Sequence, residues 1–231
     1  TVYAKIKSLN LKASPKTVET TAGMLNAKAV VIATGAKPRL LGVEGERELT
    51  GKGVAYCAVC DGGFYKNGVT AVVGGGDSAL QEALLLSDIC RTVYLIHRRD
   101  AFRGDAEKQV RLFARKNVTV LTPMEIAGFL TEDGSLRALR LKNTATGEET
   151  ELGVDCLFVS VGQQPELERF AAFLPLTAQG YAAVPETGET PVRGLFVAGD
   201  CRGKRVRQLA TAVSDGANAA LAACRYLDGE E

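Results

Sequence analysis

Val72-Val73-Gly74-Gly75-Gly76-Asp77-Ser78-Ala79 is the stretch on which the fold turns. Valines end a strand, three glycines turn the chain, and Ala79, Leu80, Ala83 and Leu84 then recur at helical spacing. A strand, G-x-G-x-x-A, then a helix has a specific physical use. Gly74 permits the tight turn, Gly76 lets backbone approach a pyrophosphate, and small Ala79 lets the helix lie against the strand. Asp77 and Ser78 stand in the first helical turn, where unpaired N–H groups attract an anion. A glycine cluster alone is weak evidence; between a strand and an amphipathic helix it marks a dinucleotide-binding unit.

The end of the next strand, Thr92–Ile96, selects the dinucleotide. Sites for NAD place Asp or Glu about 20 residues after the first glycine, to accept from the ribose 2′-hydroxyl. Here His97-Arg98-Arg99 begins 23 residues after Gly74, and Arg103 follows one helical turn later. Guanidiniums suit a 2′-phosphate, which they grip bidentately. NADPH is favoured; the bland alternative is a solvated basic loop.

Working outward, the pattern predicts a β hairpin from Val2–Leu9 and Thr17–Thr21, then a buried strand at 29–32 ending at Ala33-Thr34-Gly35. A glycine-punctuated loop leads to the α/β region: strand 70–73, helix 77–90, strand 92–96, a helix near 105–116 and strand 118–121. Strands follow near 136–142, 148–152 and 156–161, and Gly162-Gln163-Gln164-Pro165 is a domain exit. The remainder holds a strand 195–198 ending at Gly199-Asp200, and a helix near 208–227. The expected domains are 1–42 and 163–231 as two pieces of one domain, with 43–162 inserted between them.

Tyr56-Cys57-Ala58-Val59-Cys60-Asp61 places two thiols close enough to form a small redox disulfide. Asp61 is a candidate acid for the departing thiolate, or else a turn carboxylate. Zinc would need two more ligands; there is no second C-x-x-C, and the sole histidine, His97, lies among the arginines. No metal site is expected. The other four cysteines, of six, stand alone. With no recognisable export signal, this usage points to a reducing, cytoplasmic compartment. A net charge of +1 argues against a duplex nucleic-acid binder, and no apolar run reaches bilayer length.

Taken in order, Ala33-Thr34-Gly35, the Cys57–Asp61 run, the Gly74–Ala79 turn, His97-Arg98-Arg99-Asp100-x-Phe102-Arg103, Gly199-Asp200 and Arg207-Gln208 resemble a low-molecular-weight thioredoxin reductase. The resemblance covers essentially the whole chain. It implies an α/β protein of two Rossmann-like, three-layer dinucleotide-binding domains, with the NADPH domain inserted into an FAD domain. It implies transfer of electrons from NADPH through FAD and Cys57–Cys60 to thioredoxin, in a homodimer with no membrane or nucleic-acid partner.

By the same resemblance Gly74, Gly76, Asp77, Ser78, Ala79, His97, Arg98, Arg99 and Arg103 hold NADPH. Asp200 meets the ribityl chain of FAD and Gln208 lies by its ring, with Gly35, Gly199, Arg207 and Leu209 around them. Cys60 faces the flavin, Cys57 attacks thioredoxin and Asp61 is the acid. The family begins with a first glycine fingerprint for FAD, and none precedes Ala33; Gly51-Lys52-Gly53-Val54 follows no strand. The expectation is a chain lacking the N-terminal part of the FAD domain. A donor to a peroxidase partner, a dithiol oxidase and a non-enzymatic NADPH-binding module are the rival readings.

Overall fold

The structure is a computed structural model that describes residues 1–229. The chain forms two compact units: Pro38–Gly162, and Thr1–Lys37 together with the segment from Gln163 onward. The first crossing falls at Lys37 and Pro38, ahead of the 42/43 position read from the loop glycines. Leu41 and Val43 are the physical reason, since both pack on the core of the Pro38–Gly162 unit.

That unit is built on a parallel sheet in the order Val54–Ala55, Cys156–Val159, Val69–Val73, Thr92–Ile96, Val118–Leu121. Its central strands are apolar apart from Thr70 and Thr92 because both faces are covered. Val72, Leu95 and Phe158 face the helix Asp77–Ile89, meeting Leu80, Ala83 and Leu84, while Leu112 of Ala106–Phe113 joins the same cluster. Ala71, Val73, Leu157 and Val159 face the other way. There they meet Ile126, Leu139 and Leu141 of an antiparallel sheet, Met124–Glu132, Ser135–Asn143 and Glu149–Gly153. Helices, parallel sheet and antiparallel sheet make three layers.

Five strands escaped the sequence reading: the short Ala36–Pro38, Val54–Ala55 and Gln163–Pro165, and two longer ones. Met124–Glu132 contains Gly128 and Glu125, and its register with Ser135–Asn143 shifts twice. Those irregularities blur its alternation, so pairing rather than pattern defines it. Likewise the expected N-terminal hairpin is a three-stranded sheet, Ile6–Asn10, Lys16–Thr20 and Gly23–Ala27. The third strand is largely exposed and carries no buried face that a period of two could reveal.

In this second unit Val30–Ile32 pairs in parallel with Leu195–Val197. Leu195 and Val197 enter one cluster with Ile32, Leu167 and Phe170; Phe196 enters another with Ala219 and Ala223 of the helix Leu209–Asp228. Because the two strands are parallel, the loop after Ile32 and the loop after Val197 leave from the same edge.

Candidate functional site

The glycine turn opens a cleft of about 470 Å³ within the Pro38–Gly162 unit. Its glycines differ in what they do. A Cβ on Gly74, at φ +156°, would run into the Ser160 carbonyl and lie 2.8 Å from Ala79 Cβ. One on Gly75 would overlap the His97 ring, whereas one on Gly76 meets nothing within 4 Å. Gly74 and Gly75 therefore serve packing. Gly76, the N-cap of the helix Asp77–Ile89, leaves open the space a ligand's pyrophosphate needs.

The arginine loop is bound back onto this turn. The N–H groups of Arg103 and Gly104 donate to the Gly75 carbonyl at 2.8 and 3.2 Å. Asp77 Oδ1 accepts from the Asp105 N–H at 3.0 Å and from Lys108 Nζ at 3.1 Å, and these two donors hold its carboxyl below its ordinary value. Asp77 thus anchors the loop. His97 is buried, stacks on Phe102 at 5.1 Å, and leaves Nε2 without a partner. Burial, and then the neighbouring arginines, depress its pKa. Arg98 and Arg103 line the cleft with Ser78. Arg99 is not among the lining residues.

Arg39 and Ser160 also line the cleft, and neither was read from the sequence. Arg39 comes from the chain's entry into the unit, its N–H bonded to the Gly162 carbonyl at 2.9 Å. Only the strand order brings those two ends to the glycine turn. Gly104 was missed as well: a Cβ there would lie 3.0 Å from the Asp77 nitrogen and press on the Leu80 side chain, so a glycine lets the loop close tightly on the turn.

Cys57 and Cys60 are joined as a disulfide in the same unit. Cys57 caps the short helix Ala58–Asp61, and its sulfur accepts from the Cys60 N–H at 3.2 Å. Cys60 is exposed, Cys57 half-buried, and Val59 and Phe64 beside them are 68% and 85% exposed. Asp61 makes no side-chain capping bond to the turn Gly62–Tyr65 that follows it. The remaining cysteines are unpaired. Cys90, Cys156 and Cys201 are buried, and burial pushes the Cys156 thiol up to about 12.

In the other unit, Gly35 and Gly199 stand at positive φ beyond the paired strand ends. Asp200 Oδ1 is enclosed without a directed hydrogen bond, although Lys204 Nζ lies 3.2 Å away. Asp215 supports this loop through Arg202 at 2.8 Å, Lys204 at 3.0 Å and the Gly199 N–H at 3.2 Å. Arg207 donates to the Asp200 carbonyl and lies 3.9 Å from the Tyr181 ring centroid, which makes it a brace for the loop. Gln208 caps the helix Leu209–Asp228 in a reciprocal box with Thr211, and Leu209 projects into solvent.

Fold and site together define a class: an α/β nucleotide-binding unit that carries its own exposed, redox-capable disulfide. Residues 3–216 match the family model for pyridine nucleotide-disulphide oxidoreductases. The thioredoxin reductase of Bacillus subtilis is 38% identical over 226 residues, covering 98% of this chain and 72% of that protein. A Clostridium pasteurianum protein described as the 34.2 kDa protein in the rubredoxin operon is 37% identical over 228 residues, covering 99% and 74%. Among solved structures, the thioredoxin reductase of Streptococcus pyogenes superposes with a TM-score of 0.90 at 35% identity, covering 99% of this chain and 74% of that one. The chain belongs to the pyridine nucleotide-disulphide oxidoreductase family, among its thioredoxin reductases. It is an oxidoreductase whose cofactors are FAD and NADPH.

The residues present fit those groups to different extents. The open cradle at Gly76, the orphaned His97 nitrogen and the lining Arg98 and Arg103 make a place for a phosphorylated nucleotide. Gly199, the enclosed Asp200 and Gln208 suit the ribityl and ring end of a flavin. Among the described residues of that unit no glycine turn opens an α-helix; the helix Leu209–Asp228 is opened by Gln208.

Proposed function

We propose that this protein reduces the disulfide of a thioredoxin, with Cys57–Cys60 as the last relay inside the chain. When bound, NADPH and FAD supply the hydride and the path by which two electrons reach that disulfide. Gly76 and the N-terminus of the helix Asp77–Ile89 hold the pyrophosphate, and Arg98 and Arg103 hold the 2′-phosphate, with Arg99 at the rim. Asp200 and Gln208 hold the flavin. NAD(P) binding by 38–162 and flavin binding by 1–37 with 163 onward is the domain assignment that goes with this reading.

The observation that carries the proposal is the disulfide itself, exposed at Cys60 on the nucleotide-binding unit; Val59, between its cysteines, and Phe64, shortly after, are both exposed. An exposed apolar rim around a sulfur pair suits a protein partner. Once reduced, Cys57 is the nucleophile, because the Cys60 N–H already donates to its sulfur and stabilises a thiolate there. Cys57 attacks the partner disulfide, Cys60 resolves the mixed disulfide, and Asp61 protonates the departing thiolate. A cytoplasmic location and a homodimer accompany this reading. Among the described residues no helix is long and apolar enough to cross a membrane.

Covalent trapping tests the assignment without any cofactor. A thioredoxin with only its nucleophilic cysteine, activated as the thionitrobenzoate mixed disulfide, should react with the C60S variant, releasing the coloured thiolate and leaving an adduct at Cys57. An adduct only with C57S would reverse the two sulfurs. No adduct with either, alongside rapid reaction with a peroxidase partner's disulfide, would replace thioredoxin as the substrate.

A further inference from the structure

Glu82 lies on the helix Asp77–Ile89 and takes no part in the relay described above. Ala58, the first residue after Cys57, packs with Ala79, Ala83 and Leu86 of the same helix, and its N–H and the Ser160 hydroxyl are the donors that act on the Glu82 carboxyl. Ser160 directly follows the strand Cys156–Val159 and lines the nucleotide cleft. One side chain therefore ties the redox turn to the cleft floor. Its Oε2 is enclosed and has no partner, which is an unfavourable place for a full carboxylate charge.

We propose that Glu82 is a proton-linked positioning residue for the Cys57–Cys60 turn: it holds the turn through Ala58 and takes up a proton when the disulfide is reduced. The inference rests on reading this disulfide as redox-active. Reduction breaks the S–S bond and adds two electrons. With a dithiol reductant, those electrons arrive with two protons. One proton stays on a cysteine sulfur, the other sulfur remains a thiolate, and the second proton goes to the Glu82 carboxylate.

The physical cause is charge. A new thiolate in the turn packed against a carboxylate that already lacks one hydrogen-bond partner raises the carboxyl's proton affinity. Burial has already pushed Glu82 from 4.5 up to about 7, against the Ala58 and Ser160 donors, which pull it down. The other titratable groups nearby are accounted for. Asp61, Cys57 and Cys60 belong to the redox turn itself, and the acidic effect of Asp61 is felt at Tyr65 and Cys156. Asp77, on the same helix, is held by Asp105 and Lys108, the latter reaching it from Ala106–Phe113. Asp88, also on this helix, pairs with Arg115 at 2.9 Å.

The test is a thiol–disulfide equilibrium of the chain with dithiothreitol across neutral and mildly alkaline pH, with proton exchange counted by an indicator dye. It needs no NADPH, FAD or thioredoxin, so its failure is separate from failure of the proposed substrate. Above neutrality the parent should bind up to one more proton per disulfide reduced than E82Q, and because it then releases fewer protons its equilibrium with dithiothreitol should depend less steeply on pH. Identical proton counts and identical pH dependence in the two would overturn the proposal. Should E82Q not fold, S160A supplies the same test. Losing a donor to the carboxylate should move the extra proton uptake to higher pH, and an unmoved window would overturn the proposal.

Discussion

The two units treat apolar surface differently. In Pro38–Gly162 each central strand buries both faces, one under helices and one under an antiparallel sheet. In the other unit the helix Leu209–Asp228 buries Ala219 and Ala223, yet Leu209, Val213, Leu221 and Leu227 are all exposed. Val31, in the two-stranded parallel ladder, is exposed too. The first unit completes a cleft from its own residues; the second carries Asp200, proposed above to hold the flavin, on a loop braced by Asp215 and Arg207. A binding site is self-sufficient where the turn, the helix N-terminus and the charged side chains share one closed core.

The largest expected effect follows from that contrast. Residues 1–231 purified alone should bind NADPH and retain little FAD, because the helix Leu209–Asp228 is opened by Gln208 and not by a glycine turn. A flavin absorbance spectrum with a nucleotide titration checks both halves. A yellow protein with stoichiometric FAD would erase the asymmetry between the units.

Next comes the glycine turn, where neighbouring glycines should separate stability from binding. Gly74→Ala meets Ser160 backbone and Gly75→Ala meets a buried histidine ring. Each should cost on the order of 3 kcal/mol in chemical denaturation. Gly76→Ala has open space and should leave stability nearly unchanged while weakening NADPH binding. Equal stability losses for all three would mean that the cleft is not shaped as described.

Glu82 sharpens the comparison through pH. An unfolded chain ionises this carboxyl near its ordinary 4.5 while the folded chain holds its proton to about 7. Between those values the folded state binds more protons, so stability falls as pH rises through the window. Above it the cost reaches ~3 kcal/mol at most. Glu82→Gln should therefore gain stability on the parent between about pH 5 and about pH 8. A difference constant with pH would place the effect in packing.

The arginines give the smallest separable effect. Arg98→Ala or Arg103→Ala should weaken NADPH by ~1.5–3 kcal/mol, ~10- to 150-fold in Kd, and barely change NADH. Arg99→Ala should do less, since Arg99 does not line the cleft. Equal losses for both nucleotides would remove the 2′-phosphate contact.

What could be read from the chain directly is what local chemistry imposes. The Gly74–Ala79 turn, the helix after it, the Cys57–Cys60 pair and the strands at 92–96 and 118–121 announce themselves by spacing, because steric and periodic constraints act within a few residues. The tertiary structure alone decided the rest. Met124–Glu132 became a strand by pairing with Ser135–Asn143 despite its shifted register. Arg39 and Ser160 joined the cleft because parallel strand order returns distant chain ends to one edge. Glu82 looks in sequence like any helical surface carboxylate. Its proton affinity comes from burial between the redox turn and the strand end, and desolvation depends on what packs around a group, which no local pattern records.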